Sequence, residues 1–300
     1  MTIKHLVISG GGSIGFQYLG LLQHLNEKQF WTIDSIESIY ATSVGCLLAV
    51  ILILKYDWDT INQYMIERPW HDVFKLNAKQ IIEAYQSKGL YDKKILDSAF
   101  KPLLEAKDLS LSITLKELYE YSKIDLHLFT FELNTFKTCE LNHETHPDLS
   151  LISAIAMSCA LPGLFMPICS DNNCYIDGGV MSNYPLSFCL QKNKLPEEIL
   201  GINYTIQKKN TNISNVITKD SSILDFILGF SINAMNFITN SIPIESIPYE
   251  ITCDIDESPV SVAYIKKTVY SAEIRKKFIE DGVQIATAFL RNMEQKDDAA

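Results

Sequence analysis

A chain of 300 residues with 47% hydrophobic and 21% charged side chains is long and apolar enough to bury a sizeable core. Its 36 acidic and 26 basic residues leave a formal charge of −10, which argues against a nucleic acid partner because phosphate binding needs a basic face. Seven cysteines without a CxxC pair, and a longest apolar run of only Cys46–Leu54, argue against a cysteine zinc site and against a membrane-spanning helix of about 20 residues.

In chain order, a short strand is expected at about Lys4–Ser9, then a glycine loop and a helix at Gly15–Lys28 with Leu19, Leu22 and Leu25 at helical spacing. A strand at Ile36–Tyr40 and a helix ending near Leu54 complete a βαβα start, which points to a mainly parallel sheet covered by helices. Asp57–Glu67, Ala78–Ser87 and Asp92–Leu104 read as three successive helices, an insertion that caps one side of the sheet. Thr114 and Glu117 have capping-box spacing ahead of a short helix, and Asp125–Leu133 reads as a strand. Leu149–Ala160 reads as a helix stopped by Leu161-Pro162-Gly163, after which Tyr175-Ile176 leads into the turn Asp177-Gly178-Gly179. No repeat or linker divides the chain, so residues 1–300 are expected to form one domain. The amino terminus runs straight into the first strand without a signal peptide, and most cysteines lie in apolar contexts that suit reduced thiols. Both features point to the cytoplasm.

Three segments carry candidate chemistry. Gly10-Gly11-Gly12-Ser13-Ile14-Gly15 follows a strand and opens a helix, so its amides converge on one spot at the positive end of a helix dipole. With Asp34 about twenty residues on, the loop fits a dinucleotide site; the same geometry makes an oxyanion hole, and a plain turn would also be written this way. Ala41-Thr42-Ser43-Val44-Gly45 lies between a strand and a helix, as in a nucleophile elbow, where the small residues Ala41 and Gly45 permit a sharp turn. An N-capping serine is the alternative reading. Asp177, at a strand end before two glycines, is placed to accept a proton from a serine, although Asp-Gly-Gly is also a common turn. His143-Glu144-Thr145-His146 is not a zinc helix, since its histidines are three apart and Pro147 follows.

The order of these segments resembles the patatin-like phospholipase family, over roughly residues 4–205. Ser153-Ala154-Ile155-Ala156-Met157-Ser158-Cys159-Ala160-Leu161-Pro162-Gly163 and Asp177-Gly178-Gly179-Val180-Met181-Ser182-Asn183 add to the likeness. The resemblance implies a three-layer α/β/α sandwich with a mainly parallel central sheet. It implies hydrolysis of phospholipid or lysophospholipid acyl esters at a membrane surface, by a Ser43–Asp177 dyad without histidine, metal or cofactor. Gly10, Gly11 and Gly12 would form the oxyanion hole, supported by Gly15, Ala41, Gly45, Gly178 and Gly179. Two positions depart from the family pattern: Ile14 stands where Lys or Arg is common, and Ala41 where Gly is usual. A dinucleotide-binding oxidoreductase built on the loop, and a catalytically silent lipid-binding protein of the same fold, stay open as rivals.

Ser222–Asn240 places Asp225, Gly229, Asn233, Asn236 and Asn240 on one narrow stripe of an otherwise apolar helix. So wide an apolar arc predicts a well-buried helix, with a lid or interfacial element as the alternative.

Overall fold

The computed structural model describes residues 2–75, 78–192, 194–206, 217–241, 245–256 and 262–297. In chain order its strands are β1 (His5–Ile8), β2 (Ser38–Thr42), β3 (Gly89–Tyr91), β4 (Asp125–Glu132), β5 (Lys137–Leu141), β6 (Gly163–Phe165), β7 (Ile168–Cys169), β8 (Cys174–Asp177), β9 (Ile199–Ile206) and β10 (Tyr249–Ile255). Eight of them form one sheet in the order β10-β9-β1-β2-β4-β8-β7, with β5 also on β4. The pairs from β10 through to β4 are parallel, and β5, β7 and β8 join antiparallel. A separate parallel ribbon pairs β3 with β6.

Alternation along each central strand produces the layers. Leu6, Ile8, Ile39, Ala41, Leu126, Leu128, Leu200 and Ile202 face one core, together with the helices Gly15–Glu27, Val44–Ile53 and Leu151–Ser158. Val7, Tyr40, Phe129 and Ile199 face the other core, against the helix Leu186–Gln191. Side chains two residues apart share a face of the sheet, so a strand covered by helices on both sides is buried at every position. β1 and β2 are, and their polar residues His5, Ser38 and Thr42 are paired: His5 Nδ1 lies 2.8 Å from Ser38 Oγ, and Thr42 Oγ1 donates to the Ser182 carbonyl at 2.8 Å. The result is the mostly parallel, helix-covered sheet that the βαβα start implies, arranged as the α/β/α sandwich that the family resemblance implies.

The capping box forms as expected: Thr114 Oγ1 accepts from the Glu117 amide at 3.1 Å, and Glu117 Oε2 accepts from the Thr114 amide at 2.8 Å. The insertion carries the helices Trp58–Glu67, Trp70–Val73, Ala78–Ser87 and Lys94–Glu105, and also β3, a strand that the helical periodicity hides. Cys169 and Cys174 stand opposite each other on β7 and β8 and are joined as a disulfide, while the other five cysteines are free thiols, as expected for most of them. One expectation fails. The helix Ile223–Ser241 is not well buried: Leu228 and Ile232 pack against Leu161 and Leu164, while its opposite face is open to solvent.

Candidate active site

Strand β4 brings the two halves of the site together. β2 runs parallel along one edge of β4 and ends with Thr42 opposite Phe129; β8 runs antiparallel and ends with Asp177 opposite Thr130. β5 pairs with Leu128–Glu132 and so takes the other edge. β2 and β8 therefore approach head-on along the same edge, and the residue that follows β2 meets the residue that ends β8. Across a sequence separation of 134, Ser43 Oγ donates a hydrogen bond to Asp177 Oδ2 at 2.8 Å.

Ser43 sits at φ 53° and ψ −122°, a left-handed turn that costs a non-glycine residue on the order of 1–3 kcal/mol. It occupies the N-cap position of the helix Val44–Ile53, yet its side chain makes no capping bond. The capping-serine alternative thus fails, because Oγ is turned toward Asp177. Gly45 lets the helix approach β1: a Cβ there would lie 2.4 Å from the Ile8 carbonyl oxygen. The turn is also held from below by Ser158, whose Oγ accepts from the Ser43 amide at 2.9 Å and donates to the Phe129 carbonyl at 2.5 Å. Cys46 Sγ donates to Ser158 Oγ at 3.2 Å. Ser158 lies inside a motif quoted for its family likeness, but nothing in its spacing marks it as the support of the elbow.

Asp177 is 3% exposed, and Gly179 donates its amide to Oδ1 at 2.8 Å. Burial disfavours the ionised carboxylate and raises its pKa from the ordinary 3.8 to about 6, against the pull of the hydrogen bonds from Gly179 and Ser43. A carboxylate so raised is a stronger base than an exposed one.

The glycine loop divides its tasks differently from the sequence expectation. Gly10 donates its N–H to the Asn183 carbonyl at 2.9 Å. That amide is therefore committed to the scaffold, and Gly10 serves by its lack of a side chain, since a Cβ would stand 3.1 Å from Ser43 Cβ. Gly11 and Gly12 have φ of 145° and 55°, which turns the backbone through conformations that side chains resist. Among the described residues the amides of Gly11, Gly12 and Ser13 have no protein acceptor, and Gly12 and Ser13 line a cavity together with Ser43 and Asp177. Ser13 is thus a further candidate donor that the glycine pattern does not single out. Ile14 is fully buried in the core, so position 14 offers no open place for the positive charge common in the family.

The cavity beyond the serine is apolar. Phe16, Leu47, Met65, Trp70, Phe74, Tyr91, Leu164 and Val269 contribute to its wall, so the helical insertion covers the site. The charged residues in the wall are Asp177 and Arg275. Arg275 is itself buried, and its guanidinium donates to the carbonyls of Ile66, Arg68, Thr268 and Val269, which ties the insertion to the carboxyl-terminal helices. No histidine is among the lining residues.

Asp34 does not join the loop. It lies in the turn Ile33–Ser35 ahead of β2, is exposed, and pairs with Lys55 at 2.6 Å. The glycine loop follows β1, which is parallel to β2; the two therefore sit at opposite ends of the sheet. A dinucleotide site needs both at the carboxyl end, so that rival fails.

These features define an α/β/α protein with a serine–aspartate pair, free amides and an apolar cavity at the carboxyl edge of its sheet. The patatin-like phospholipase profile matches residues 6–190, and the chain belongs to that family. It is 26% identical over 238 residues to the "Probable lipid hydrolase 463L" of Invertebrate iridescent virus 6, covering 74% of this chain and 80% of the relative. It is 24% identical over 241 residues to an uncharacterized protein of Acanthamoeba polyphaga mimivirus, covering 79% and 78%. The fold resembles the crystal structure of VipD from Legionella pneumophila, with a TM-score of 0.58 and 14% identity over 97% of this chain and 67% of that one.

Proposed function

We propose that this chain is a lipid acyl hydrolase of the phospholipase A type, acting as one unit on phospholipid or lysophospholipid at a membrane surface. The observation that carries the reading is the 2.8 Å bond from the elbow Ser43 Oγ to the buried Asp177 Oδ2, beside an apolar cavity. Asp177 takes the Ser43 proton as Oγ attacks the ester carbonyl. The tetrahedral oxyanion accepts from the loop amides, with Gly11, Gly12 and Ser13 as donors. Collapse expels the alcohol, which leaves with the proton held on Asp177, and the acyl group stays on Ser43. Water then gives its proton to Asp177 and attacks the acyl-enzyme; free fatty acid departs and Ser43 regains its proton.

The apolar wall suits the acyl chain, and the committed guanidinium of Arg275 leaves no cation there for a headgroup phosphate. Selection therefore rests on the chain rather than on the headgroup. A fluorophosphonate probe should label the wild type at Ser43, and Ser43→Ala should abolish both labelling and fatty acid release from lysophosphatidylcholine. The loss in turnover should be about 10⁴-fold or more. Label on another residue, or turnover retained by the folded variant, would overturn the assignment, and a wild type that binds lipid without labelling would favour the silent-binder reading.

A further inference from the structure

The helix Ile223–Ser241 is apolar on two opposite faces. At 100° per residue, Leu228, Ile232 and Met235 fall on one side, packed against Leu161, Leu164 and Phe165. Ile223, Phe226, Ile227, Phe230 and Phe237 fall within a stripe about 100° wide on the other side. That stripe is open: Ile223 is 74% exposed, Phe226 53%, Phe230 68% and Phe237 74%. Three phenylalanines on one helix face, within a stripe that runs about 21 Å from Ile223 to Phe237, form a larger apolar stripe than water-soluble surfaces carry without a use.

The inner face leads to the candidate active site. Met235 reaches Gly179, where a Cβ would come within 2.6 Å of its Cε, and Gly179 is the residue that holds Asp177. Leu161, Leu164 and Phe165, on which the helix rests, also line the cavity. Phe165 belongs to β6, whose partner β3 contacts the helix Ala78–Ser87; that helix exposes Ile82 and Tyr85 as well. Exposed apolar side chains thus flank the ribbon that borders the acyl cavity.

We propose that the helix Ile223–Ser241 is a membrane-docking element that lies in the plane of a bilayer with Phe226, Phe230 and Phe237 inserted among the acyl chains, and so sets the cavity against its substrate. The proposal rests on the lipid-hydrolase reading. Charge chooses the occupant: the helix has no basic residue and one acidic residue, Asp225, and the whole chain carries −10. An anionic surface would repel such a chain, whereas a zwitterionic phosphatidylcholine surface takes the apolar face without requiring a cation. Docking is therefore driven by apolar insertion and insensitive to salt.

The test uses the full chain with Ser43→Ala, so that vesicles are not consumed. It should sediment with phosphatidylcholine vesicles equally at low and high salt. Phe226→Ser, Phe230→Ser and Phe237→Ser combined should weaken that binding at least about tenfold, with an unchanged melting temperature because the three side chains face solvent. As a readout independent of the triple variant, Phe230→Trp should shift its emission to the blue when vesicles are added. Binding that survives the triple change, a parent that stays in the supernatant, binding confined to anionic vesicles and lost in salt, or an unshifted tryptophan would each overturn the proposal. A lipid-free dimer of the parent that the triple change dissociates would overturn it in favour of a second copy on this face. Wild-type hydrolysis of a monomeric short-chain ester is measured separately. Its absence would overturn the hydrolase reading alone, and the vesicle result would still decide docking.

Discussion

Asp177→Asn should make the protein more stable while it destroys activity. The Asp177 carboxyl titrates at about 6 in the folded chain against an ordinary 3.8, so keeping it ionised at pH 8 costs about 3 kcal/mol. The Gly179 and Ser43 hydrogen bonds are already included in that net cost. Asparagine is nearly isosteric and neutral: its Oδ1 accepts from Gly179, and its Nδ2 donates to Ser43 Oγ. The pH dependence has a definite sign. Folded Asp177 binds its proton more tightly than the unfolded chain does, so the wild type loses stability as pH rises from 3.8 through 6, and the penalty is constant above that. Thermal melting at pH 8 should therefore place the variant above the wild type by roughly 6 °C, taking about 2 °C per kcal/mol for a chain of this size. The gap should close as pH falls toward 4, where the wild-type carboxyl is protonated. An equal or lower melting temperature at pH 8, or a gap that persists at pH 4, would refute the claim that burial raises the Asp177 pKa.

The proposed role of Asp177 as base predicts that kcat/KM falls about tenfold per pH unit below about 6, as the carboxylate becomes protonated, and a flat profile down to pH 5 would remove Asp177 from that role. Ser158→Ala deprives the Ser43 amide of its acceptor and the Phe129 carbonyl of a donor; with buried groups left unpaired at about 1–3 kcal/mol each, denaturant titration should show that loss. Its kcat should drop more than its KM changes, whereas unchanged kcat in the folded variant would mean the elbow holds its shape unaided. Gly12→Val forces a β-branched residue into a φ of 55° and should cut single-turnover acylation by about 10²–10³, with vesicle binding unaffected; normal acylation would show that this loop is only a turn.

Much of the candidate site was legible because its parts are local. A strand, a small-residue turn and a helix announce the elbow within a dozen residues, and glycines announce the loop, since each such turn restricts which side chains it can hold. Function within the loop was less legible. Whether the Gly10 amide faces a substrate or the Asn183 carbonyl depends on a segment more than 170 residues away, and no local pattern records it. The support supplied by Ser158 is hidden for the same reason. The long helix failed in another way: when apolar residues occupy most of its circumference, periodicity does not say which arc meets the core. Packing chose Leu228 and Ile232, leaving the phenylalanines outside.

The sequence by itself determined the alternation of strands and helices, the family likeness and the identity of Ser43 and Asp177 as candidates, because these follow from short-range turn chemistry and side-chain periodicity. Only the tertiary structure decided that the two residues meet. That contact depends on β2 and β8 sharing one edge of β4, in a register that brings Thr42 opposite Phe129 and Asp177 opposite Thr130. Strand register is a product of long-range pairing and of burial on both faces of the sheet, and neither is written in the residues next to Ser43 or next to Asp177.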